Sequence, residues 1–209
     1  VDHGELAMPH VFVAPLPLIA SLCLRHYTVC RSLRRCATDV TSATIAIPTR
    51  NERGNIEAAV KRIPRFVDAI EIIFVEGHSR DGTWEEIERV AAAYPHYDIK
   101  AMRQPGTGKR DAVFTALEAA RGDVLIILDA DLTVPPEQLP KFWDAIRSGK
   151  GEFVNGSRLV YPMEDQAMRF LNLVANKTFS LLFTWLLSQR FTDTLCGTKA
   201  LYRADYERI

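Results

Sequence analysis

The chain has 209 residues, of which 47% are hydrophobic and 25% charged, and its 26 basic side chains balance its 26 acidic ones. This composition excludes wholesale disorder and a collagen-like chain, and the length suffices to bury the core of one domain. A net charge of zero argues against a surface built for duplex nucleic acid, so no nucleic-acid partner is predicted.

Residues 1–40 show no clear periodic pattern. The apolar stretch Val11–Leu24 is shorter than the roughly 18–20 residues that span a bilayer, and prolines interrupt it. It is either an interfacial anchor or the end of another folded unit, so we predict that residues 1–40 are an N-terminal extension or the remnant of a preceding domain. The cysteines form no CxxC pair, and neither a zinc site nor a disulfide framework is predicted. They are Cys23, Cys30, Cys36 and Cys196.

From residue 41 onward, short apolar segments alternate with helical patterns. In chain order the predicted elements are a strand at Thr44–Ile47, a helix at Asn51–Phe66, a strand at Glu71–Val75, a helix at Trp84–Tyr94, a strand at Asp98–Met102, a helix at Asp111–Arg121, a strand at Val124–Leu128, a helix at Pro136–Arg147, a strand at Glu152–Asn155, a long apolar helix at Phe170–Leu187 and a strand at Thr198–Tyr202. Strands that are apolar on both faces form parallel sheets covered on both sides. The predicted fold is α/β, with a mostly parallel sheet between helices; the long apolar helix packs in the core or lies on a membrane surface.

In such sheets ligands bind beyond the carboxyl ends of the strands, so the loops there hold the candidate site. These loops are Pro48–Glu52, Glu76–Thr83, Arg103–Arg110 and Asp129–Pro136. Asp129-Ala130-Asp131 follows the most apolar strand, and if the strand continues, both carboxylates face the same way. Paired carboxylates suit Mg²⁺ or Mn²⁺ held together with substrate phosphates. The alternative is that one of these aspartates caps the following helix.

The loop after the second predicted strand contains residues typical of a turn and one carboxylate in the ligand crevice. Asp81-Gly82 is typical of a turn, and Thr83 with Glu86 predicts a capping box. Glu76 directly ends an apolar strand, where it can accept hydrogen bonds from a base or a ribose. His78 is interpreted as a turn residue without a catalytic role.

Basic residues follow the third and fifth strands. The Gly106–Arg110 segment fails as a phosphate-binding P-loop, because arginine stands at 103 and 110 where glycine and serine or threonine are required. Lys109 and Arg110 are either ligand contacts or solvated surface charges. Arg158 and, at the start of the long helix, Arg169 can hold a diphosphate, and Asp193 is a candidate base or supporting group.

Several of these segments together resemble the family 2 glycosyltransferases of GT-A fold. They are IPTRNE from Ile47, VEGHSRDGT from Val75, DADLTVPPE from Asp129, GSR from Gly156, and Asp193 with CGTKALYR from Cys196. The branch with the greatest resemblance is the polyprenyl- or dolichyl-phosphate hexose transferases. The resemblance covers residues 41–209 and implies a catalytic domain that is incomplete at its C-terminus.

The resemblance implies a GDP- or UDP-hexose donor and a divalent cation, Mg²⁺ or Mn²⁺. It gives the following site: Pro48, Arg50 and Glu52 in the nucleotide pocket, Glu76 near the base and ribose, Asp129, Ala130 and Asp131 at the metal and diphosphate, and Arg158 and Arg169 at phosphates. In the reaction expected from this site, Arg158 or Lys109 stabilises the charge of the leaving group. Asp131, Asp193 and Arg158 are the candidate catalytic residues, with Asp193 as the base if the acceptor is a hydroxyl. The implied reaction inverts the anomeric carbon.

The acceptor implied by the resemblance is a polyprenyl phosphate, which places the chain at the cytoplasmic face of a membrane as a peripheral protein. Glu76-Gly77 departs from the usual pair of aspartates, which affects nucleotide choice, and Thr133 replaces a glutamine that often helps bind the metal. Two alternatives are kept. One is a sugar-phosphate nucleotidyltransferase, disfavoured because the loop PTRNERGN holds one glycine. The other is a domain that binds the donor without turnover.

Overall fold

The computed structural model describes residues 12–14, 40–149, 151–156, 178–179, 181–182, 185 and 196–208. Three predicted site residues, Arg158, Arg169 and Asp193, lie outside these described residues, as do Cys23, Cys30 and Cys36 and most of Phe170–Leu187.

Within the described residues, seven strands form one sheet in the order β1-β6-β7-β5-β2-β3-β4. Their bounds are β1 Phe12–Ala14, β2 Ser42–Thr49, β3 Ala69–Glu76, β4 Asp98–Arg103, β5 Val124–Ile127, β6 Phe153–Asn155 and β7 Lys199–Tyr202. β5, β2, β3 and β4 run parallel, whereas β7 is antiparallel to both β5 and β6. Each strand predicted from the sequence is present, and the mostly parallel sheet is confirmed.

The helices cover both faces of this sheet. They are α1 Arg53–Arg62, α2 Thr83–Ala93, α3 Lys109–Ala119, α4 Leu139–Arg147, preceded by a 3-10 turn at Pro136–Gln138, and the short α5 Arg203–Tyr206. Alternate residues of each central strand face opposite sides, so Ile45 packs in the cluster with α1, α2 and α4 while Ala46 packs against α3. This two-sided burial explains why the central strands are apolar throughout.

The segment Phe12–Ala14 joins the sheet as edge strand β1, antiparallel to β6, with Phe12 opposite Asn155. No strand is predicted for it from the sequence. The division of the chain near residue 40 stays a prediction.

The start of α2 differs from the predicted capping box. Gly82, with φ of +83°, is the N-cap, and Thr83 is already the first helical residue. Oδ1 of Asp81 accepts hydrogen bonds from the Thr83 amide at 3.1 Å and from its hydroxyl at 2.5 Å. The predicted capping box of Thr83 with Glu86 is therefore wrong, because Thr83 lies inside the helix with its hydroxyl bound to Asp81, and Glu86 binds Arg89.

The described part of the predicted long apolar helix is helical and exposed. Its side chains include Phe179 (49% exposed), Leu181 (61%), Leu182 (49%) and Trp185 (78%). This exposure weighs against burial of these four side chains in the core. Among the described helices, none combines the length and apolar character that a membrane crossing requires.

Candidate active site

The carboxyl ends of the parallel strands and their following loops enclose a cavity of about 340 Å³. It is lined by Pro48, Thr49, Arg50, Glu52, Gly77, Gln104, Gly108, Lys109, Ala112, Asp129, Ala130 and Asp131. Seven of the residues predicted for the site are thus brought together at one edge of the sheet: Pro48, Arg50, Glu52, Lys109, Asp129, Ala130 and Asp131.

A tight turn brings the two aspartates into this cavity. β5 ends at Ile127, and the amide of Leu132, which has φ of +54°, donates to the carbonyl of Asp129 at 3.1 Å. The two carboxylates therefore share the cavity because the chain turns, and not because a strand continues through them. Neither caps a helix: Asp131 Oδ1 accepts the Thr133 amide at 2.9 Å, and the 3-10 turn has no side-chain cap.

The carboxylate of Asp129 is held from two sides. Nζ of Lys109, at the first turn of α3, lies 2.5 Å from its Oδ1. On the other side is Gly197, in the segment before β7, where an added Cβ would lie 2.0 Å from Oδ2 of Asp129. The Asp129 side chain is 16% exposed. This carboxylate is thus positioned by an ammonium and by a backbone that leaves it room.

The donor set at this edge fits a hard divalent cation. Asp129 and Asp131 offer carboxylate oxygens, the ligands that Mg²⁺ and Mn²⁺ prefer. Among the described residues, no group of three or more histidine, cysteine or acidic side chains could enclose a metal alone. The remaining ligands would have to be waters or phosphate oxygens of a substrate, which is how Mg²⁺ is commonly bound in phosphate-transferring sites.

Hydrogen bonds join the loops after β2 and β3, and they hold in place the part of the cavity wall that follows β2. The Asn51 amide donates to Oγ of Ser79 at 2.9 Å, and Oδ1 of Asn51 accepts the Arg80 amide at 2.9 Å. The Glu52 amide donates to the Thr83 hydroxyl at 3.0 Å. Asn51 adopts φ of +56°, a conformation that asparagine tolerates better than most residues. Arg50 and Glu52 on either side of it are thereby held at the cavity.

Glu76, which is predicted to lie near the base and ribose, is not among the residues that line this cavity. It is the last residue of β3, is 5% exposed, and its Oε1 accepts the amide of Ser79 in its own loop. The cavity wall is instead formed by Gly77, whose amide donates to the Thr49 carbonyl at 2.8 Å, and by Gln104 after β4. Gln104 was not predicted as a site residue, although its position directly after a parallel strand indicates a place at the ligand-binding end of the sheet.

Comparison with known proteins identifies the family. The model for "Glycosyl transferase family 2" matches residues 44–208. This chain belongs to glycosyl transferase family 2. The match begins inside β2 and ends after α5, so the family assignment covers the whole cavity described above.

Relatives of this family 2 domain include proteins whose names contain dolichol phosphate or polyprenol. Dolichol-phosphate mannosyltransferase of Pyrococcus furiosus is 37% identical over 119 residues, which are 56% of this chain and 33% of that protein. Polyprenol monophosphomannose synthase of Mycolicibacterium smegmatis is 30% identical over 168 residues, which are 79% of this chain and 63% of that protein. The chain thus spans between a third and two thirds of these two relatives.

Solved structures share the fold. Glucosyl-3-phosphoglycerate synthase from Mycobacterium tuberculosis, in complex with Mn²⁺, UDP-glucose and phosphoglyceric acid, has a TM-score of 0.60 at 21% identity and covers 81% of this chain and 59% of its own. A mannosyltransferase from Pyrobaculum calidifontis, in complex with GDP-Man and Mn²⁺, has a TM-score of 0.51 at 24% identity, covering 82% and 47%. The family 2 domain therefore has the GT-A fold.

Proposed function

We propose that this family 2 domain transfers a hexose from a GDP- or UDP-hexose donor to a polyprenyl phosphate, in a metal-dependent reaction that inverts the anomeric carbon. The observation that carries the proposal is the cavity at the carboxyl edge of the sheet, in which Asp129, Asp131 and Lys109 converge. Two carboxylates beside a cation suit a metal-bound diphosphate better than a neutral ligand.

The donor would lie with its diphosphate toward Asp129 and Asp131 and its nucleoside toward Pro48 and Gly77. When bound, the Mg²⁺ or Mn²⁺ would offset the negative charge that gathers on the departing nucleoside diphosphate. Lys109 would exchange its contact with Asp129 for one with that diphosphate and add a further positive charge. Relatives support this donor class, since solved neighbours are named as complexes with UDP-glucose or GDP-Man and Mn²⁺.

In the proposed step the bond from the anomeric carbon to the diphosphate oxygen breaks while a phosphate oxygen of the acceptor bonds to that carbon from the opposite side. A phosphate oxygen is anionic near neutral pH, so it attacks without surrendering a proton and needs no strong general base. Arg158 and Arg169 are proposed to hold the phosphates, with Asp193 as base only for a hydroxyl acceptor. The names of the relatives from Pyrococcus furiosus and Mycolicibacterium smegmatis support the lipid-phosphate acceptor.

The acceptor would be presented at a membrane surface. Leu181, Leu182 and Trp185 recur at helical spacing and are exposed, and a helical face of this kind is typical of interfacial binding. We propose peripheral binding at the cytoplasmic face through this face.

Two measurements test the proposal. Calorimetric titration with UDP and with GDP, each with and without Mn²⁺, is expected to give binding of one nucleotide that depends on the metal. Incubation with the matching nucleotide-hexose and a polyprenyl phosphate is expected to release the nucleoside diphosphate and form the lipid-linked sugar. Release of pyrophosphate from a nucleoside triphosphate would instead indicate a nucleotidyltransferase, and donor binding without transfer would indicate a domain without turnover.

A further inference from the structure

One buried side chain at the cavity has no part in the proposed reaction. Gln104 follows β4 directly and is 5% exposed, and its backbone amide donates to the carbonyl of Glu76 at 3.0 Å. Its side-chain Nε2 donates to the carbonyl of Gly106 at 3.1 Å. A carbonyl can only accept, so the group facing Gly106 must be the amide nitrogen, and Oε1 occupies the other position. No hydrogen bond to Oε1 is made by any described residue.

Gly77 leaves this oxygen uncovered. A Cβ at Gly77 would lie 3.3 Å from Oε1 of Gln104 and 3.3 Å from the carbonyl of Thr49. Gly77 is not among the residues with positive φ, so its backbone does not require glycine. Its lack of a side chain therefore leaves space in front of Gln104, and the acceptor lies at the part of the cavity where the nucleoside is proposed to bind.

We infer that Oε1 of Gln104 reads the base of the donor by accepting a hydrogen bond from a ring N–H. Uracil and guanine carry such an N–H beside a carbonyl, whereas the corresponding ring nitrogens of cytosine and adenine are acceptors. A nearly buried acceptor that faces another acceptor stays unpaired, and sites of this kind reject mismatched ligands strongly. The inference rests on the proposed function, because it assigns the base-reading group of the same donor site.

The test is titration of the full chain with UDP, GDP, CDP and ADP, each with Mn²⁺. The wild type is expected to bind UDP or GDP at least about tenfold more tightly than CDP and ADP. Gln104→Met, which keeps the length and removes the acceptor, should lower the affinity for the preferred nucleotide by about tenfold and erase its advantage over CDP. Gly77→Ala should weaken the preferred nucleotide too, because its Cβ crowds the same oxygen.

Asp131→Asn serves as the matched control, since it should weaken all four nucleotides alike and preserve their order. Melting curves confirm that each variant is folded. If Gln104→Met binds all four nucleotides as the wild type does, the base-reading role is overturned while the donor site stands. A wild type that prefers CDP or ADP overturns it as well. If the folded wild type binds no nucleoside diphosphate, the proposed function fails and the inference fails with it.

Discussion

A Cβ on Gly197 would lie 2.0 Å from Oδ2 of Asp129, closer than any two such atoms can approach. The two residues are far apart in sequence, and the antiparallel pairing of β7 with β5 brings them together. The segment before β7 therefore forms a floor under the carboxylate, and only glycine leaves room for it.

Replacing Gly197 with alanine should displace the Asp129 carboxylate and lower the Mn²⁺-dependent affinity for nucleotide by about 10- to 100-fold, as for other residues that position metal ligands. The measurement is calorimetric titration with Mn²⁺ and the preferred nucleotide. Gly54→Ala is the matched control, because a Cβ at Gly54 meets nothing within 4 Å. It should leave binding unchanged and, within α1, stabilise the fold by about 0.5–1 kcal/mol. Equal binding by Gly197→Ala and wild type would contradict the conclusion that the segment before β7 positions the Asp129 carboxylate.

Asp131→Asn should weaken metal-dependent nucleotide binding and abolish turnover while leaving the fold intact. The amide keeps an oxygen that can accept the Thr133 amide, so the turn survives, but the charge that attracts the cation is gone. Binding is measured with and without Mn²⁺ and stability by thermal melting. Asp144→Asn, at a side chain that is 66% exposed on α4, is the control. Full metal-dependent turnover in Asp131→Asn would rule out this carboxylate as a ligand.

Lys109→Met separates a ligand-binding lysine from a solvated one. Lys109 contacts Asp129 in the cavity, whereas the neighbouring Arg110 lies over the ring of Phe114, 4.8 Å from its centroid. Lys109→Met should weaken nucleoside diphosphate binding by about tenfold, because charge-assisted contacts to phosphate are strong. It should change stability by no more than about 1 kcal/mol, since the lysine is 56% exposed. Arg110→Met should bind normally, and equal losses in both variants would indicate a general effect of charge.

Glu71 is a buried acid at the end of the sheet opposite the cavity, and we expect it to affect the stability of the fold at acidic pH. Burial alone would raise the pKa of Glu71, but hydrogen bonds to its carboxylate lower it from 4.5 to about 2. The donors are the Thr44 hydroxyl at 2.6 Å, the Arg121 amide at 2.9 Å and guanidinium at 2.8 Å, and the Lys100 ammonium at 3.0 Å.

A carboxyl with a lowered folded-state pKa stabilises the fold above its unfolded-state pKa and loses this effect as pH falls. Stability should therefore decline between about pH 5 and pH 2. Glu71→Gln should destabilise the protein by about 1–3 kcal/mol at pH 7 and flatten that decline. Denaturant unfolding across this pH range is the measurement, with Glu118→Gln, at an exposed position on α3, as control. An unchanged pH slope in Glu71→Gln would exclude this carboxyl as its source.

The central sheet could be predicted from the sequence because its strands are buried on both faces and bounded by turn residues. The rule that ligands bind at the carboxyl edge then located Lys109, Asp129 and Asp131 correctly at one cavity. Contacts between distant segments could not be predicted in this way. Edge strand β1 is three residues long and, among the described strands, pairs with distant β6 alone, and the closeness of Gly197 to Asp129 depends on β7.

Local details could not be predicted from the sequence where two neighbouring polar groups could each take the same role. Thr83 had the sequence of a helix cap, but its own amide and hydroxyl donate to the Asp81 carboxylate, and no sequence pattern predicts which of the two residues precedes the helix as its acceptor. The positive φ of Leu132 is equally hidden, since leucine rarely adopts it, and the turn it makes decides where Asp131 points.

The position of β7 between β5 and β6 has a consequence for the order in which the domain is made. During synthesis the parallel strands emerge first and can pair with each other, but the open sides of β5 and β6 wait for a strand that is translated much later. Until it inserts, those two edges expose unpaired backbone groups, which invite aggregation. The floor under Asp129 also arrives with this strand, so a nascent chain cannot complete the surroundings of this carboxylate before the segment from Gly197 to β7 has been made.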